Sequence, residues 1–323
     1  MSFCIGYRSA IEYWNGAFRH VDAPLELGTS QSRRADTKAA LASLERRDAA
    51  RLPEGASPPS ECTLPLHVMV TSKAAAVRSA DVVAHVRSAP LPSASLVRID
   101  RDLFVSTPEF AFTQMADALS LVQLIELGFE LCGTYATGPD GTLRSDLPAL
   151  SSVARLCRFL NRAPRFRGRR KAQRALRYVQ DNSASPRETQ LTMLLCLPYA
   201  LGGYGLPRPE LNRRVDLRDS RGRLSGAHCV CDLYWHDCRL DVEYDSTEFH
   251  AAPEALAKDA RRRTALEAAK VTSINVTNAH MRDSGLFNQL ARDVARILDK
   301  RLRYRDPQFT RAHLELRRQL GLP

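Results

Sequence analysis

Two acidic residues, Asp232 and Glu243, lie in a stretch that is typical of a β-hairpin. Within 229–244, two runs rich in Val, Leu, Tyr and Trp are separated by a short polar step. If the turn centres between Asp237 and Cys238, Asp232 faces Glu243 directly, and like charges opposed in this way destabilise a sheet. A cation removes the conflict, and Mg²⁺ binds one or two carboxylates while leaving room for phosphate oxygens. The sequence therefore predicts a Mg²⁺ (or Mn²⁺) site with Asp232 and Glu243 as ligands, placed where a phosphodiester is cleaved.

The elements around this hairpin alternate between helix and strand. Ser185 followed by Pro186 predicts a helix start, and Glu188 then borders the buried side of that helix, where an acid needs a partner. The expected elements are a strand at 211–217, the hairpin, a helix at 254–270, a strand at 271–277 and a helix at 286–303. We therefore predict an α/β fold with a mixed sheet flanked by helices.

This arrangement resembles the Vsr-like (very-short-patch-repair-like) endonuclease domain of the PD-(D/E)XK nuclease superfamily, over roughly 183–280. The resemblance implies that Glu188 matches the acid of the leading helix, Asp232 the central metal ligand and Glu243 the second ligand. It implies a catalytic role for Asp245, which stands where many members of the superfamily have a lysine. The flanking pattern is matched by His250, Asp259 and Arg262.

The missing lysine leaves the chemistry open. With Asp245 in its place, no obvious ammonium positions the attacking water or stabilises the charge that develops on phosphorus. His250 is a candidate for proton exchange near neutral pH. Lys258 or a basic helix is a candidate source of the missing positive charge.

Simpler interpretations exist for the same residues. Asp241 and Asp245 alternate with Glu243, as they would on an exposed acidic strand. Asp259 with Arg262 is typical of an ion pair on a helix. Structural zinc is a further alternative, but Cys229 and Cys231 are expected on one face of a strand, as packed thiols are.

Composition and charge limit the possible classes of protein. The chain has 323 residues, 44% hydrophobic and 26% charged, with a formal net charge of +11. These values predict an ordinary globular protein with room for two domains and a polyanionic partner. We find no pattern of a signal peptide or membrane span, so we expect no membrane partner, a cytoplasmic location and reduced cysteines. The oligomeric state is not predicted.

The positive charge is concentrated between Arg155 and Arg177, where ten basic residues occur without an acid. Phosphate neutralisation with counterion release is the obvious use of such a run, and a solvated surface is the alternative. We expect a loop at 161–168 that enters a helix at 169–179. The predicted nucleic-acid contacts are Arg165, Arg167, Arg169, Arg170, Lys171 and Arg174.

The remaining sequence predicts three regions. Residues 1–148 are expected to form an N-terminal α/β domain of unclear role, 149–182 a basic helical linker and 183–323 the nuclease-like domain. In the first region we expect strands at 64–70, 82–86 and 95–105, and Thr107-Pro108 predicts a helix start before helical spacing over 110–132. Residues 104–119 faintly resemble a region found near AbiEi-type antitoxins.

The function predicted from these residues is that of a Mg²⁺-dependent DNA endonuclease, a hydrolase of phosphodiester bonds. The alternative is a degenerate nuclease fold that acts as a DNA-binding regulator or antitoxin-like protein. An enzyme that processes RNA would use the same residues.

Overall fold

The computed structural model describes residues 3–17, 33–38, 40, 59–76, 79–87, 90–101, 103–163, 166–218, 224–245 and 262–323. The chain divides into two compact units, Met1–Asp181 and Asn182–Pro323. Each combines helices with a sheet of mixed strand direction. The protein is therefore an α/β protein, as predicted.

The first unit contains a five-stranded sheet. Its strands are β1 (Phe3–Ile5), β2 (Leu66–Val70), β3 (Val82–Val86), β4 (Leu96–Arg98) and β5 (Leu103–Ser106), in the order β3-β2-β1-β5-β4. Helix α1 (Tyr7–Ala17) lies between β1 and β2. After β5 come α2 (Pro108–Ala118), α3 (Leu121–Cys132) and a small two-stranded ribbon, β6 (Ala136–Thr137) and β7 (Leu143–Arg144). Phe104, Phe110 and Phe112 are buried in its core.

Two predicted elements of this unit are each divided in the structure. The strand expected at 95–105 is the antiparallel pair β4 and β5, because the chain reverses at Asp100, whose carbonyl accepts the Leu103 N–H. The helical stretch at 110–132 is interrupted after Leu119. There Ser120 and Gln123 form a capping box that starts α3 afresh.

The segment predicted as a linker packs largely as part of the first unit. It forms α4 (Val153–Arg162) and α5 (Arg169–Ala175), so the helix expected at 169–179 ends early. Leu156, Leu160 and Ala172 are buried. Burial of these apolar side chains, rather than repulsion between the basic ones, determines how the segment is arranged.

The second unit has a four-stranded sheet in the order β11-β10-β9-β8. The elements are α6 (Pro186–Cys196), β8 (Glu210–Arg218), β9 (Leu224–Trp235), β10 (Leu240–Asp245), helical residues 262–268, β11 (Thr272–Thr277), α7 (Asn278–Arg282), α8 (Ser284–Ile297) and α9 (Gln308–Gln319). Strand β9 is antiparallel to both β8 and β10, and β11 runs parallel to β10. The helix predicted at 286–303 ends at Ile297. The order of helix, three strands, helix, strand and helix agrees with the prediction.

Candidate functional site

The hairpin of β9 and β10 has the predicted register. Leu240 pairs with Trp235, Asp241 with Tyr234 and Val242 with Leu233, around a turn at 236–239. These pairs lie symmetrically about the predicted turn centre. Because β10 is hydrogen-bonded to β9 on one side and β11 on the other, its acidic residues lie in the middle of the sheet rather than at an edge.

One cluster of possible metal ligands occurs in the part of the chain that the structure describes. A sulfur of Cys231 and carboxylate oxygens of Asp241 and Glu243 all lie within 4.8 Å of one another. Cys231 and Asp241 are fully buried, and Glu243 is partly buried. We call these three residues the Cys231 cluster. Only Glu243 among them was predicted to be a ligand.

Asp241 is the least expected member of the Cys231 cluster. Its side chain is 0% exposed, and neither carboxylate oxygen accepts a hydrogen bond from an N–H or O–H group of the described residues. Burial, followed by the nearby charge of Asp232, raises the pKa of Asp241 to about 7, while the Cys231 thiol and Arg262 oppose that rise. The interpretation of Asp241 as part of an exposed acidic strand was therefore wrong, because the face of β10 that carries Asp241 is covered.

The cover over Cys231 comes from the segment between β10 and β11. Leu266, Ala269 and Val271 form a buried apolar group with Cys231 and Tyr234. Such packing shields neighbouring polar atoms from water. The alternation of Asp241 with Glu243 was the only sequence signal for this site, and burial by residues 262–271 could not be read from it.

Asp232, the other predicted ligand, is engaged elsewhere in the structure. Its carboxylate accepts the backbone N–H of Tyr244 at 3.0 Å, which ties β9 to β10. It is not a member of the Cys231 cluster. Burial raises the pKa of Asp232, and the Tyr244 hydrogen bond and the charge of Arg262 act against this rise. A shared metal site of Asp232 and Glu243 remains a prediction.

Glu188 has a buried position with its own partners. It lies in the first turn of α6, where Ser185 is the N-cap and accepts the Glu188 N–H at 3.1 Å, as predicted. Its carboxylate accepts hydrogen bonds from Ala184 N at 2.9 Å, from the Ser185 hydroxyl at 2.8 Å and from Asn212 Nδ2 at 2.6 Å. Burial and the charge of Asp232 raise its pKa, and these bonds oppose the rise. Glu188 therefore connects α6 to β8 and lies near Asp232.

Arg262 provides the positive charge of this site. Its guanidinium forms an ion pair with Glu243 and donates to the carbonyl oxygen of Val230. Arg262 therefore pairs with a strand residue, and its expected ion pair with Asp259 stays a prediction. Asp245, at the end of β10, pairs in register with Thr277 of β11. His250, Lys258 and Asp259 lie outside the described residues.

The predicted nucleic-acid residues fall into two groups. Arg169 donates to the carbonyl of Ala163 and Lys171 to that of Leu119, both at 2.6 Å, and Arg167 pairs with Asp117 at 3.0 Å. These three cations therefore make their contacts within the first unit.

The side chains of Arg170 and Arg174 are exposed and make no ion pair or hydrogen bond with other described residues. Arg165 lies outside the described residues. A cleft of about 660 Å³ is lined by Phe166, Gly168, Arg169, Arg170, Lys171 and Gln173. The contact of this surface with DNA remains a prediction.

A second basic cleft, in the second unit, was not predicted. It measures about 500 Å³, and its charged lining consists of Arg292, Arg296, Lys300, Arg301 and one acid, Asp299. The aromatic side chain of Tyr304 also lines this cleft. The four-residue spacing of Arg292 and Arg296 was the available signal, because residues four apart share a helix face, and Lys300 follows just after the helix ends.

Comparison with known proteins gives no relative for this chain: no protein-family model, curated protein or solved structure matches it. Within the described ranges, every helix lacks the length or the apolar character required to cross a lipid bilayer.

Proposed function

We propose that the second unit is a divalent-cation-dependent DNA endonuclease. The observation that supports this most directly is the carboxylate of Asp241, which is buried and unpaired beside Glu243. A buried carboxylate without a hydrogen-bond donor is costly, and a cation would remove that cost. The residues present therefore fit a bound metal ion.

The proposed roles follow from the contacts of each side chain. Asp241 and Glu243 would hold the cation, and Asp232 would contribute negative charge close to it. A divalent cation bound there would polarise a phosphate oxygen and lower the pKa of the attacking water. Arg262, which lies against Glu243, would stabilise the charge that develops on phosphorus.

The basic cleft lined by Arg292, Arg296, Lys300 and Arg301 supports a polyanionic substrate for the same unit. Contacts of these side chains with phosphates would be independent of DNA sequence and would weaken as salt rises. Tyr304 could stack on an unpaired base at the cleft wall. DNA is the proposed substrate, with RNA as an outcome to be tested.

Cleavage of supercoiled plasmid, with Mg²⁺ or Mn²⁺ and with chelator, tests this proposal. Wild type should nick DNA only with metal, and Glu243→Gln should lose roughly 100-fold or more of that activity while DNA affinity changes little. Glu315→Gln is the matched control, because Glu315 is an exposed glutamate on α9 that pairs with Arg318. Equal turnover by Glu243→Gln would overturn the assignment of the site.

A second candidate function is that of a DNA-binding regulator with an inactive nuclease fold. The ion pair between Arg262 and Glu243 favours it, because the guanidinium already neutralises a carboxylate that a metal would need. Asp245, where the resemblance expects a lysine, favours it too. A protein of this kind would shift the mobility of plasmid and of short mismatched duplexes without nicking either in any metal.

A further inference from the structure

The Cys231 cluster contains a sulfur atom, which is unusual beside two carboxylates intended for Mg²⁺. Mg²⁺ prefers oxygen ligands, whereas thiolates bind Zn²⁺ and other cations of softer character. The ligand atoms of Cys231, Asp241 and Glu243 lie within 4.8 Å of one another. A tetrahedral ion with bonds of about 2.0–2.3 Å holds its ligand atoms roughly 3.3–3.7 Å apart, so binding would require the three side chains to draw together by no more than about 1.5 Å.

The unpaired carboxylate of Asp241 distinguishes this cluster from a chance grouping of acids. Both of its oxygens are buried without an N–H or O–H donor among the described residues, the Cys231 thiol beside them is only a weak donor, and the side chain is 0% exposed. Arg262, whose charge acts on Asp241, forms its ion pair with Glu243 instead. The cluster therefore has a ligand oriented into it whose bonding is incomplete.

We propose that Cys231, Asp241 and Glu243 form a site for a thiophilic divalent cation, with Zn²⁺ as the expected occupant. On binding, the S–H bond of Cys231 breaks, its proton passes to solvent and a sulfur–metal bond forms without electron transfer. A water or backbone oxygen would complete the coordination. Zn²⁺ bound here would occupy Glu243 and would therefore inhibit cleavage supported by Mg²⁺, an effect that rests on the proposed function.

Cobalt provides the direct test, because a thiolate bound to Co²⁺ produces an intense charge-transfer absorption in the near ultraviolet. The full chain, free of nucleic acid, would be titrated with Co²⁺ and then with Zn²⁺. We expect a saturable band at one ion per chain that Zn²⁺ removes and excess Mg²⁺ does not. Absence of the band in folded wild type would overturn the inference.

Three variants assign the ligands. Cys231→Ser should abolish the band, and Asp241→Asn, which keeps the thiol and removes a buried charge, should weaken Co²⁺ binding at least about tenfold. Cys229→Ser is the matched control, since this partly buried thiol lies two residues away on the same strand and outside the cluster. A band that survives in Cys231→Ser, or that is lost in Cys229→Ser, would contradict the assignment.

The outcomes separate this inference from the proposed function. If Cys231→Ser fails to fold, as thermal unfolding would reveal, the Asp241→Asn titration still decides whether the cluster binds the ion. Cleavage in Mg²⁺ that depends on Glu243, without a cobalt band, would refute the thiophilic site and leave the nuclease proposal intact. A cobalt band without cleavage would support the thiophilic site and refute the nuclease proposal.

Discussion

Arg262 and Glu243 form an ion pair that connects helical residues 262–268 to the middle of the second sheet. The same guanidinium donates to the Val230 carbonyl. Burial raises the pKa of Asp232 and of Asp241, and the charge of Arg262 opposes the rise in both. One arginine therefore lowers the electrostatic cost of several carboxylates that the fold places close together.

Replacing that arginine should destabilise the second unit. We expect Arg262→Gln to lower the free energy of unfolding by about 1–3 kcal/mol in chelator, because Glu243 loses its partner while remaining partly buried. Denaturant unfolding measures this change, and Mg²⁺ should restore part of it. Arg296→Gln is the control, since its ion pair with Asp293 is exposed and should contribute less than about 0.5 kcal/mol. Equal losses in the two variants would contradict the expectation.

Asp241 should make stability depend on pH. Its pKa is raised to about 7 in the folded protein, from an ordinary value of 3.8, so the folded state holds the proton more tightly than the unfolded state. Stability from this proton is fully present below about pH 4 and is lost as pH rises to about 7, by up to about 4 kcal/mol. Asp241→Asn should remove this dependence.

The measurement is urea unfolding of wild type and Asp241→Asn in chelator between pH 4 and pH 8. The difference between the two proteins should shift in favour of the variant as pH rises. A constant difference over this range would show that Asp241 ionises as readily in the folded as in the unfolded chain. Addition of metal at pH 8 should reduce the advantage of the variant.

Glu188 should contribute to stability whether or not metal is bound. Glu188→Ala leaves the Ala184 N–H without its acceptor and removes one of the two hydrogen bonds that the Asn212 amide donates, and we expect a loss of about 1–3 kcal/mol. The comparison is made in chelator and in Mg²⁺. Equal losses indicate that Glu188 mainly positions α6 against β8, whereas a larger loss in Mg²⁺ indicates a ligand role. No loss in either condition would contradict the hydrogen-bonding described here.

The exposed cations of α5 should affect DNA binding without affecting stability. We expect the double variant Arg170→Ala and Arg174→Ala to reduce the slope of log K against log salt by about 1–2. Lys171→Ala is the contrasting variant, because Lys171 donates to the Leu119 carbonyl, and its loss should lower stability by about 1 kcal/mol. Fluorescence anisotropy with a short duplex measures the slope. An unchanged slope in the double variant would remove this surface from the proposed interface.

Local features of the second unit were predictable because they depend on neighbours in sequence. The N-cap at Ser185 with Pro186, and the polar turn that sets the register of Asp241 opposite Tyr234, follow from capping and turn chemistry. Alternation of side chains placed Asp241 and Glu243 on one face of β10. The presence of the strands of the second unit, and their order along the chain, could therefore be derived from the sequence.

The tertiary structure decided which charged side chains are buried and which groups they contact. Whether Asp241 is solvated depends on Leu266 and its neighbours, which are distant in sequence and cover Cys231. Whether Lys171 is available to phosphate depends on the position of the Leu119 carbonyl. The sequence by itself determined which acidic and basic residues are present and which strands and helices carry them. Only packing across the sheet decided which charges lose water, because desolvation depends on every group that surrounds a side chain in space.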